Sequence, residues 1–350
     1  MSQKHLQNSA AHFSVAPMLD WTDRHCRKFH RLISQHAWLY SEMVTTGAII
    51  YGKDNQRFLG RDESDIPVVL QLGGSVPAEM AQCAKLGQEW GYSEININVG
   101  CPSDRVQNNQ IGACLMASPH MVADCVKAMK DVVDIPVTVK CRIGIDEQDE
   151  ERSIREMMDQ LCEAQTDGVI IHARKAWLEG LSPKENRHVP PLNYDLVRAV
   201  KQEYSQMPIA INGGLTSIEQ GLDVIKSAAP NTLDGFMMGR SIYEQPYLLS
   251  KVDALVYGDT HEVLTRDAIV EAMLPYIDNH LHNGGKLIQI TRHMLGLFHG
   301  LPGGRMWRRY LSQEAFKSDA STQTVVQALN IVNTEIERME QVALERQQMK

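Results

Sequence analysis

The chain has 350 residues, with 35 lysines and arginines against 43 aspartates and glutamates, and a formal net charge of −8 at pH 7. This acidic balance argues against a surface that coats nucleic acid over its whole area, although it leaves room for a local basic patch. No stretch approaches the ~18 apolar residues of a membrane span, and residues 1–14 lack the apolar segment of a signal peptide. The seven cysteines include no CxxC pair, which predicts reduced thiols and a cytoplasmic protein.

Short apolar, β-branched runs alternate with amphipathic stretches over most of the chain. The runs predict strands at residues 13–18, 39–44, 67–72, 94–99, 136–142, 168–173, 208–212 and 235–238. Intervening stretches predict helices at residues 77–90, 119–133, 150–164 and 217–227. Strand and helix alternating eight times predicts the α/β class and a (β/α)8 TIM barrel. The alternative is a doubly wound open sheet, which the even units and the absence of a GxGxxG turn disfavour.

The pattern changes after residue 258, where Gly258-Asp259-Thr260 resembles a linker and only helical periodicity follows. We therefore predict a catalytic TIM-barrel domain over residues 1–258 and a small all-helical domain over residues 259–350. Residues 281–310 contain no aspartate or glutamate, and this stretch predicts a basic patch in an otherwise acidic protein. Its cations are Lys286, Arg292, Arg305, Arg308 and Arg309.

Polar side chains collect at the carboxyl ends of the predicted strands, where TIM barrels carry their chemistry. Cys101 follows the fourth strand between Gly100 and Pro102. Glycine permits close approach to the backbone and proline fixes the direction of the chain, so one thiol is held in a set place. Strand alternation puts further polar residues together on inward faces. These pairs are Asn96 with Asn98, Lys140 with Arg142, and His172 with Arg174.

Two glycine-containing loops close the last two predicted strands. Asn212-Gly213-Gly214 follows strand seven, and Gly239-Arg240 follows strand eight. Loops at these two positions form the usual phosphate site of TIM barrels, so they favour a phosphorylated cofactor over plain turns.

The remaining candidates have more ordinary explanations. Cysteines other than Cys101 are expected to pack as small buried hydrophobes, with Cys114 the nearest competitor for a chemical role. A single histidine such as His172 is often a satisfied core group, but its position at a barrel exit favours function. No histidine and carboxylate cluster has metal-ligand spacing, so we predict no metal site.

Together, the motifs at these strand ends resemble those of the tRNA-dihydrouridine synthase family, and within it the bacterial DusA branch. The resemblance covers roughly residues 13–340. The motifs that carry it are Ala16-Pro17-Met18, Asn98-Val99-Gly100-Cys101-Pro102 with Gly112-Ala113 downstream, Lys140-Cys141-Arg142-Ile143-Gly144, His172-Ala173-Arg174, Asn212-Gly213-Gly214 and Met238-Gly239-Arg240.

The resemblance implies an FMN-dependent oxidoreductase that uses NADPH to reduce uridine to 5,6-dihydrouridine in the D-loop of tRNA, at positions 20 and 20a. It implies that FMN is tightly held across the barrel mouth by Pro17, Met18, Leu19, Gln71, Lys140, His172, Asn212, Gly213, Gly214, Gly239 and Arg240. It also implies that uridine and tRNA are bound by Asn98, Arg142, Lys184, Arg187, Arg305 and Arg308.

The same resemblance implies how the thiol is used. Hydride passes from reduced FMN to C6 of the uracil, and Cys101 protonates C5 from the opposite face. A thiol with an unperturbed pKa of ~8.5 is mostly protonated at neutral pH, as a general acid must be. The target uridine has to be extruded from folded tRNA, and phosphate contacts from the basic patch compensate for that cost.

Two alternatives differ in class. One is an FMN barrel oxidoreductase acting on a free pyrimidine, similar to dihydroorotate dehydrogenases, which leaves the helical domain and its arginines unexplained. The other is a catalytically silent RNA-binding protein, which would make the residues at the barrel mouth incidental.

Overall fold

The computed structural model describes residues 8–103, 110–226 and 232–348. Within these ranges eight parallel strands close into a barrel, each pairing with its neighbours in sequence and β8 pairing with β1. This confirms the predicted (β/α)8 barrel. The strands are β1 (Phe13–Val15), β2 (Trp38–Thr45), β3 (Val68–Gly73), β4 (Glu94–Val99), β5 (Val137–Arg142), β6 (Gly168–His172), β7 (Ile209–Asn212) and β8 (Gly235–Met238).

The helices that alternate with these strands begin where the sequence predicts, at Pro77 and Pro119 for two of them. Residue 227, the predicted end of the helix after β7, lies outside the described residues. In chain order the helices are α1 (Arg24–Arg31), α2 (Thr46–Ile50), α3 (Asn55–Leu59), α4 (Pro77–Glu89), α5 (Pro119–Lys130), α6 (Glu150–Glu163), α7 (Tyr194–Glu203), α8 (Ile218–Lys226), α9 (Arg240–Glu244), α10 (Val252–Tyr257), α11 (Arg266–His282), α12 (Leu287–Met294), α13 (Gly304–Glu314) and α14 (Thr322–Gln348).

The middle of the barrel is filled by apolar side chains. Residues from strands on opposite sides of the barrel belong to one buried cluster, so they must meet in its interior. The cluster contains Ala10, Ala16, Trp38, Tyr40, Val69, Ile170, Ala210 and Met237.

The amino end of the barrel contains a buried carboxyl group, Glu94, on the first residue of β4. A 3₁₀ turn, Ser9–Ala11, lies against it, and both the backbone N–H and the hydroxyl of Ser9 donate to Glu94, over 2.7 and 2.6 Å. The hydroxyl of Thr138 donates to the same carboxylate over 2.5 Å. Burial nevertheless raises the pKa of Glu94 to about 7.

The chain forms two compact units: a barrel unit, Met1–Arg24 with Ala37–Gly239, and a helical unit, His25–His36 with Arg240–Lys350. Asp253 binds the segment His25–His36 to the rest of the helical unit. Its carboxylate accepts hydrogen bonds from the Ser34 hydroxyl over 2.5 Å and from the Gln35 backbone N–H over 2.6 Å. The sequence pattern gave no sign that residues 25–36 leave the barrel unit.

The second segment of the helical unit starts at residue 240, earlier than the boundary at 258 that the sequence suggested. Residues 240–257 pack within it. A Cβ atom on Gly296 would lie 2.3 Å from the Glu244 carbonyl oxygen, so the two backbones are in direct contact. The Arg266 guanidinium lies 3.8 Å from the ring centroid of Tyr247. Across the described ranges, no helix is both long and apolar enough to cross a membrane.

Candidate active site

Hydrogen bonds on three sides fix the loop that carries Cys101. The backbone N–H groups of Gly100 and Cys101 donate to Oδ1 of Asn98, over 3.1 and 3.0 Å. The carbonyl of Cys101 accepts from the backbone N–H of Ala113 over 2.9 Å. Cys101 itself stays half-exposed. The backbone at Cys101 is therefore held by hydrogen bonds, and the residue is partly exposed.

A row of side-chain amides runs from this loop into the barrel. Nδ2 of Asn98 donates to Oε1 of Gln71 over 2.8 Å, and Nε2 of Gln71 donates to Oδ1 of Asn96 over 2.9 Å. Nδ2 of Asn96 then donates to the Thr138 hydroxyl over 2.8 Å, and that hydroxyl donates to Glu94. Every bond points away from the loop towards the carboxylate. Bonds aligned in this way polarise and strengthen one another.

Lys140 supplies a cation at the same end of the barrel. It pairs in register with Asn98 on the neighbouring strand and is half-buried. Burial, and then the charge of Arg142, lower the pKa of Lys140 to about 8. An ammonium group that has lost much of its hydration attracts an anionic or electron-rich ligand strongly.

Arg142 lies two residues further along β5 and is only 3 % exposed. Its Nε donates to the carbonyl of Gly100 over 3.1 Å, next to Cys101. Burial lowers the pKa of Arg142 to about 10, while the neighbouring Cys101 acts in the opposite direction. That Arg142 binds the substrate stays a prediction, and in the structure its guanidinium group donates to backbone carbonyls.

His172 and the Asn212-Gly213-Gly214 loop lie together at the ends of β6 and β7. Gly213 has φ 113°, and a Cβ atom there would lie 2.7 Å from the His172 ring. Gly214 has φ 72°, and its Cβ would lie 2.5 Å from Leu192. Side chains are thus excluded at both positions, because His172 and Leu192 pack closely against the backbone there. Nδ2 of Asn212 donates to the Met237 carbonyl over 2.9 Å and ties β7 to β8.

The loop after β1 meets the end of β8. A Cβ atom on Gly239 would lie 3.4 Å from Sδ of Met18, so these two predicted cofactor residues are neighbours. Pro17 and Met18 are half-buried, and Leu19 is 58 % exposed. The structure therefore brings both loops to the same part of the barrel mouth.

Lys184 and Arg187 lie on the long loop after β6, where Lys184 directly precedes the short 3₁₀ turn Glu185–Arg187 and Arg187 is its last residue. Both side chains are exposed, whereas Asn186 between them is fully buried. This loop belongs to the barrel unit and presents its cations to solvent, as binding of an RNA backbone requires.

The other predicted cations belong to the helical unit. Arg305 and Arg308 are both exposed on α13, three residues apart and so on one face of the helix. Trp307 on the opposite face is fully buried and anchors the helix. Arg240 opens α9 directly after Gly239 and is half-buried.

The other cysteines mostly pack as expected. Cys26, Cys83, Cys125 and Cys141 are buried, and Cys162 is the exception because it is exposed. Cys114 is half-buried and donates its thiol to the Ile111 carbonyl over 3.2 Å, and burial raises its pKa. Among the residues that the structure describes, no cluster of histidine, cysteine or carboxylate side chains has a metal-binding arrangement.

Two residues of this region escaped the sequence analysis. Thr138 connects the amide row to Glu94, and strand alternation could have identified it because it shares a face with Lys140. Asn186 organises the loop after β6 through its side chain, and nothing in the local sequence signals that role.

Comparison with known proteins identifies the family of this chain. The profile of the family "Dihydrouridine synthase (Dus)" matches residues 14–333. A tRNA-dihydrouridine(20/20a) synthase from Shewanella oneidensis is 56% identical over 324 residues, which cover 93% of this chain and 95% of that protein. Proteins of the same name are 54% identical in Vibrio parahaemolyticus, covering 92% of this chain and 97% of that protein, and 53% identical in Escherichia coli K12, covering 91% of each.

A solved structure with a similar fold is that of 2-naphthoyl-CoA reductase in complex with 2-naphthoyl-CoA. It superposes with a TM-score of 0.51 at 13% sequence identity and covers 69% of this chain and 49% of that chain. At this identity the likeness concerns the fold alone. The family profile and the relatives of more than 50% identity carry the assignment: this chain belongs to the dihydrouridine synthase family.

Proposed function

We propose that the chain reduces uridine to 5,6-dihydrouridine in the D-loop of tRNA, at positions 20 and 20a, with tightly bound FMN as cofactor and NADPH as hydride donor. Relatives that share more than half of the sequence carry the name tRNA-dihydrouridine(20/20a) synthase. The observation that carries the proposal is the Cys101 loop, whose backbone is held by Asn98, the residue that pairs in register with the half-buried Lys140 and begins the row of amides.

The residues at the barrel mouth fit a flavin phosphate and ring. Gly214 is exposed and carries no side chain of its own, so its backbone suits the approach of a phosphate. The ammonium group of Lys140 is partly desolvated, so it can stabilise negative charge on an electron-rich ring beside it. Gln71 is 1 % exposed, and its amide has one N–H and one lone pair beyond those used in the amide row. We assign Pro17, Met18, Leu19, His172, Asn212, Gly239 and Arg240 to the same cofactor.

When bound, the reduced flavin supplies the hydride that enters C6 of the uracil. The role of this chain is to hold the base and complete the addition. The second N–H of Asn98 is available to a carbonyl oxygen of the base, and the Cys101 thiol donates a proton to C5. Lys140 stabilises negative charge that develops nearby, because its ammonium group is already poorly solvated.

Exposed cations suit the RNA part of the substrate. Lys184 and Arg187 on the barrel unit, and Arg305 and Arg308 on the helical unit, face solvent and can pair with phosphates. We therefore propose a catalytic role for the barrel unit and a tRNA-binding role for the helical unit. Because tRNA is the substrate, we also propose that the protein works in the cytoplasm.

The test is direct. Purified protein is incubated with NADPH and tRNA transcribed without modifications, and dihydrouridine is mapped by its alkaline ring opening at single-nucleotide resolution. We expect a yellow protein and dihydrouridine at positions 20 and 20a. A protein that takes up no flavin, or that leaves tRNA unchanged while it reduces a free pyrimidine, would refute the proposal. Tight tRNA binding without any reduction would favour a silent RNA-binding protein.

A further inference from the structure

Arg142 is buried, and its guanidinium group donates hydrogen bonds to backbone carbonyls of two different loops. Its Nε reaches the carbonyl of Gly100 over 3.1 Å. Its Nη1 reaches the carbonyls of Lys175 and Asn186, each over 3.0 Å. Gly100 belongs to the loop of Cys101, whereas Lys175 and Asn186 belong to the long loop after β6. One guanidinium group therefore bridges the two loops.

The loop after β6 is organised around the side chain of Asn186. Its Oδ1 accepts from the backbone N–H of Trp177 over 2.7 Å, and its Nδ2 donates to the carbonyls of Trp177 and Leu181 over 2.8 and 3.1 Å. Asn186 is fully buried, while Lys184 and Arg187 close to it in the chain are exposed. The residue whose carbonyl Arg142 binds therefore lies between the two exposed cations in the chain.

On the other side, Gly100 leaves little room for adjustment. Its N–H is bound to Asn98, its carbonyl to Arg142, and the following residue is Cys101. A Cβ atom on Gly100 would lie 3.6 Å from Cγ of Arg142, so the stem of the arginine packs directly against this loop. A shift of the guanidinium must therefore move the backbone that carries the thiol.

Apart from the neighbouring Cys101, which raises the pKa of Arg142, the charges around the guanidinium group do not favour it. Arg142 forms no ion pair with a carboxylate among the described residues, and the charges of Arg174 and Arg187 both oppose its own. Burying a cation without a carboxylate partner costs free energy of hydration, so its hydrogen bonds to the backbone carbonyls must offset that loss. Arginine alone provides several N–H donors in a rigid planar fork, which a lysine cannot reproduce.

We propose that Arg142 is a positioning residue that couples the cationic loop after β6 to the loop of Cys101, so that RNA held by Lys184 and Arg187 sets the position of the thiol. This inference rests on the proposed function for its RNA component. The coupling itself is a property of the protein without any ligand. It assigns Arg142 to the support of the catalytic loop and not to contact with the substrate.

The first experiment needs neither flavin nor RNA. The rate at which iodoacetamide alkylates Cys101 is measured in apoprotein, with the modified residue identified by mass spectrometry, for the unaltered chain, Arg142→Lys and Arg61→Lys. Arg61 is the matched control, because it also donates to backbone carbonyls, those of Trp90 and Asp62, over 2.8 and 3.0 Å. We expect the rate to change by about fivefold or more in Arg142→Lys and to stay unchanged in the control.

The second experiment separates the half-reactions. In Arg142→Lys, flavin reduction by NADPH should keep its rate, while reoxidation by saturating tRNA should slow by about 10- to 100-fold. In the unaltered chain, Lys184→Ala with Arg187→Ala should slow reoxidation even at saturating tRNA. When Arg142→Lys is already present, Lys184→Ala with Arg187→Ala should change the rate of flavin reoxidation by less than about twofold, because the coupling is already lost.

Three results would overturn the inference. They are an unchanged alkylation rate in Arg142→Lys, an equal change in the Arg61→Lys control, and additive effects in the double-mutant cycle. An unaltered protein that forms no dihydrouridine would instead refute the proposed function, and the alkylation result would stand by itself.

Discussion

The side-chain nitrogen of Asn98 lies 2.8 Å from Oε1 of Gln71, while its oxygen accepts the backbone N–H of Cys101 over 3.0 Å. One amide thus holds the loop of the proposed proton donor and orients a residue assigned to the flavin. Because both ends of Asn98 are engaged, its orientation is fixed and only one N–H remains for a base.

The two ends of Asn98 can be tested separately. Asn98→Ala removes both bonds, so it should lower turnover by about 10²-fold and weaken flavin binding through Gln71. Asn98→Asp keeps an acceptor for the Cys101 N–H but loses the donor to Gln71. It should keep the alkylation rate of Cys101 and still alter flavin affinity. Equal alkylation rates in both variants would show that Asn98 does not hold the loop.

Cys101→Ala should bind flavin and tRNA normally and lose about 10²- to 10⁴-fold in turnover, because a general acid contributes that much. The measurement is flavin reoxidation by tRNA under anaerobic conditions. Cys114→Ala is the matched control, since Cys114 is half-buried on a nearby segment but donates to a carbonyl. If Cys114→Ala shows the greater loss, the proton donor has been assigned to the wrong thiol.

Gly213→Ala should weaken flavin binding by at least about tenfold, because the added Cβ would lie 2.7 Å from the His172 ring at φ 113°. Flavin affinity is measured by fluorescence quenching in apoprotein. Gly180→Ala is a suitable control, since Gly180 also has a positive φ, 79°, but no atom within 4 Å of an added Cβ. Similar losses of affinity in the two variants would mean that backbone strain, and not the ligand cradle, is responsible.

Arg305→Ala with Arg308→Ala should weaken tRNA binding and reduce its salt dependence by about 1 to 2 in the slope of log K against log salt concentration. The reason is that each arginine that pairs with a phosphate releases a counter-ion. Arg152→Ala with Arg338→Ala removes two exposed arginines that already pair with Glu156 and Glu335, so the slope should stay the same. An unaltered slope in the first pair would exclude both residues from the RNA contact.

Glu94 predicts a pH dependence of stability. Burial raises its pKa from 4.5 to about 7, so the folded protein binds a proton that the unfolded chain has already released in this range. Below pH 4.5 the carboxyl group is protonated in both states. As the pH rises from 4.5 to about 7, the free energy of unfolding should therefore fall by about 3 kcal/mol. The titratable neighbour that donates to it is Tyr40, over 3.4 Å, and Tyr40 stays protonated throughout because its own pKa is raised.

The measurement is the free energy of unfolding in urea across this pH range, for the unaltered chain and Glu94→Gln. The amide of Glu94→Gln cannot titrate. The free energy of unfolding of the unaltered chain should therefore fall relative to that of Glu94→Gln as the pH rises. Two parallel stability curves would show that Glu94 keeps an ordinary pKa in the folded protein.

The sequence predicted the barrel because strand periodicity is local. Each run of alternating or apolar residues reports its own burial, and all eight predicted strands lie within three residues of their observed bounds. The same alternation put Asn96 with Asn98 and Lys140 with Arg142 on inward faces. It also left Cys101 at the fourth strand exit, where the structure places it.

Tertiary structure alone decided the partners of those side chains. Alternation predicts that Arg142 faces inward but cannot show that it meets Asn186, 44 residues away in the chain. It predicts a polar Asn96 but not the row of amides that ends at Glu94. It also cannot show that residues 25–36 join the helical unit through Asp253. The physical reason is that a side chain's face is set by its own backbone, whereas its hydrogen-bond partner is set by which distant segments the closed barrel brings together.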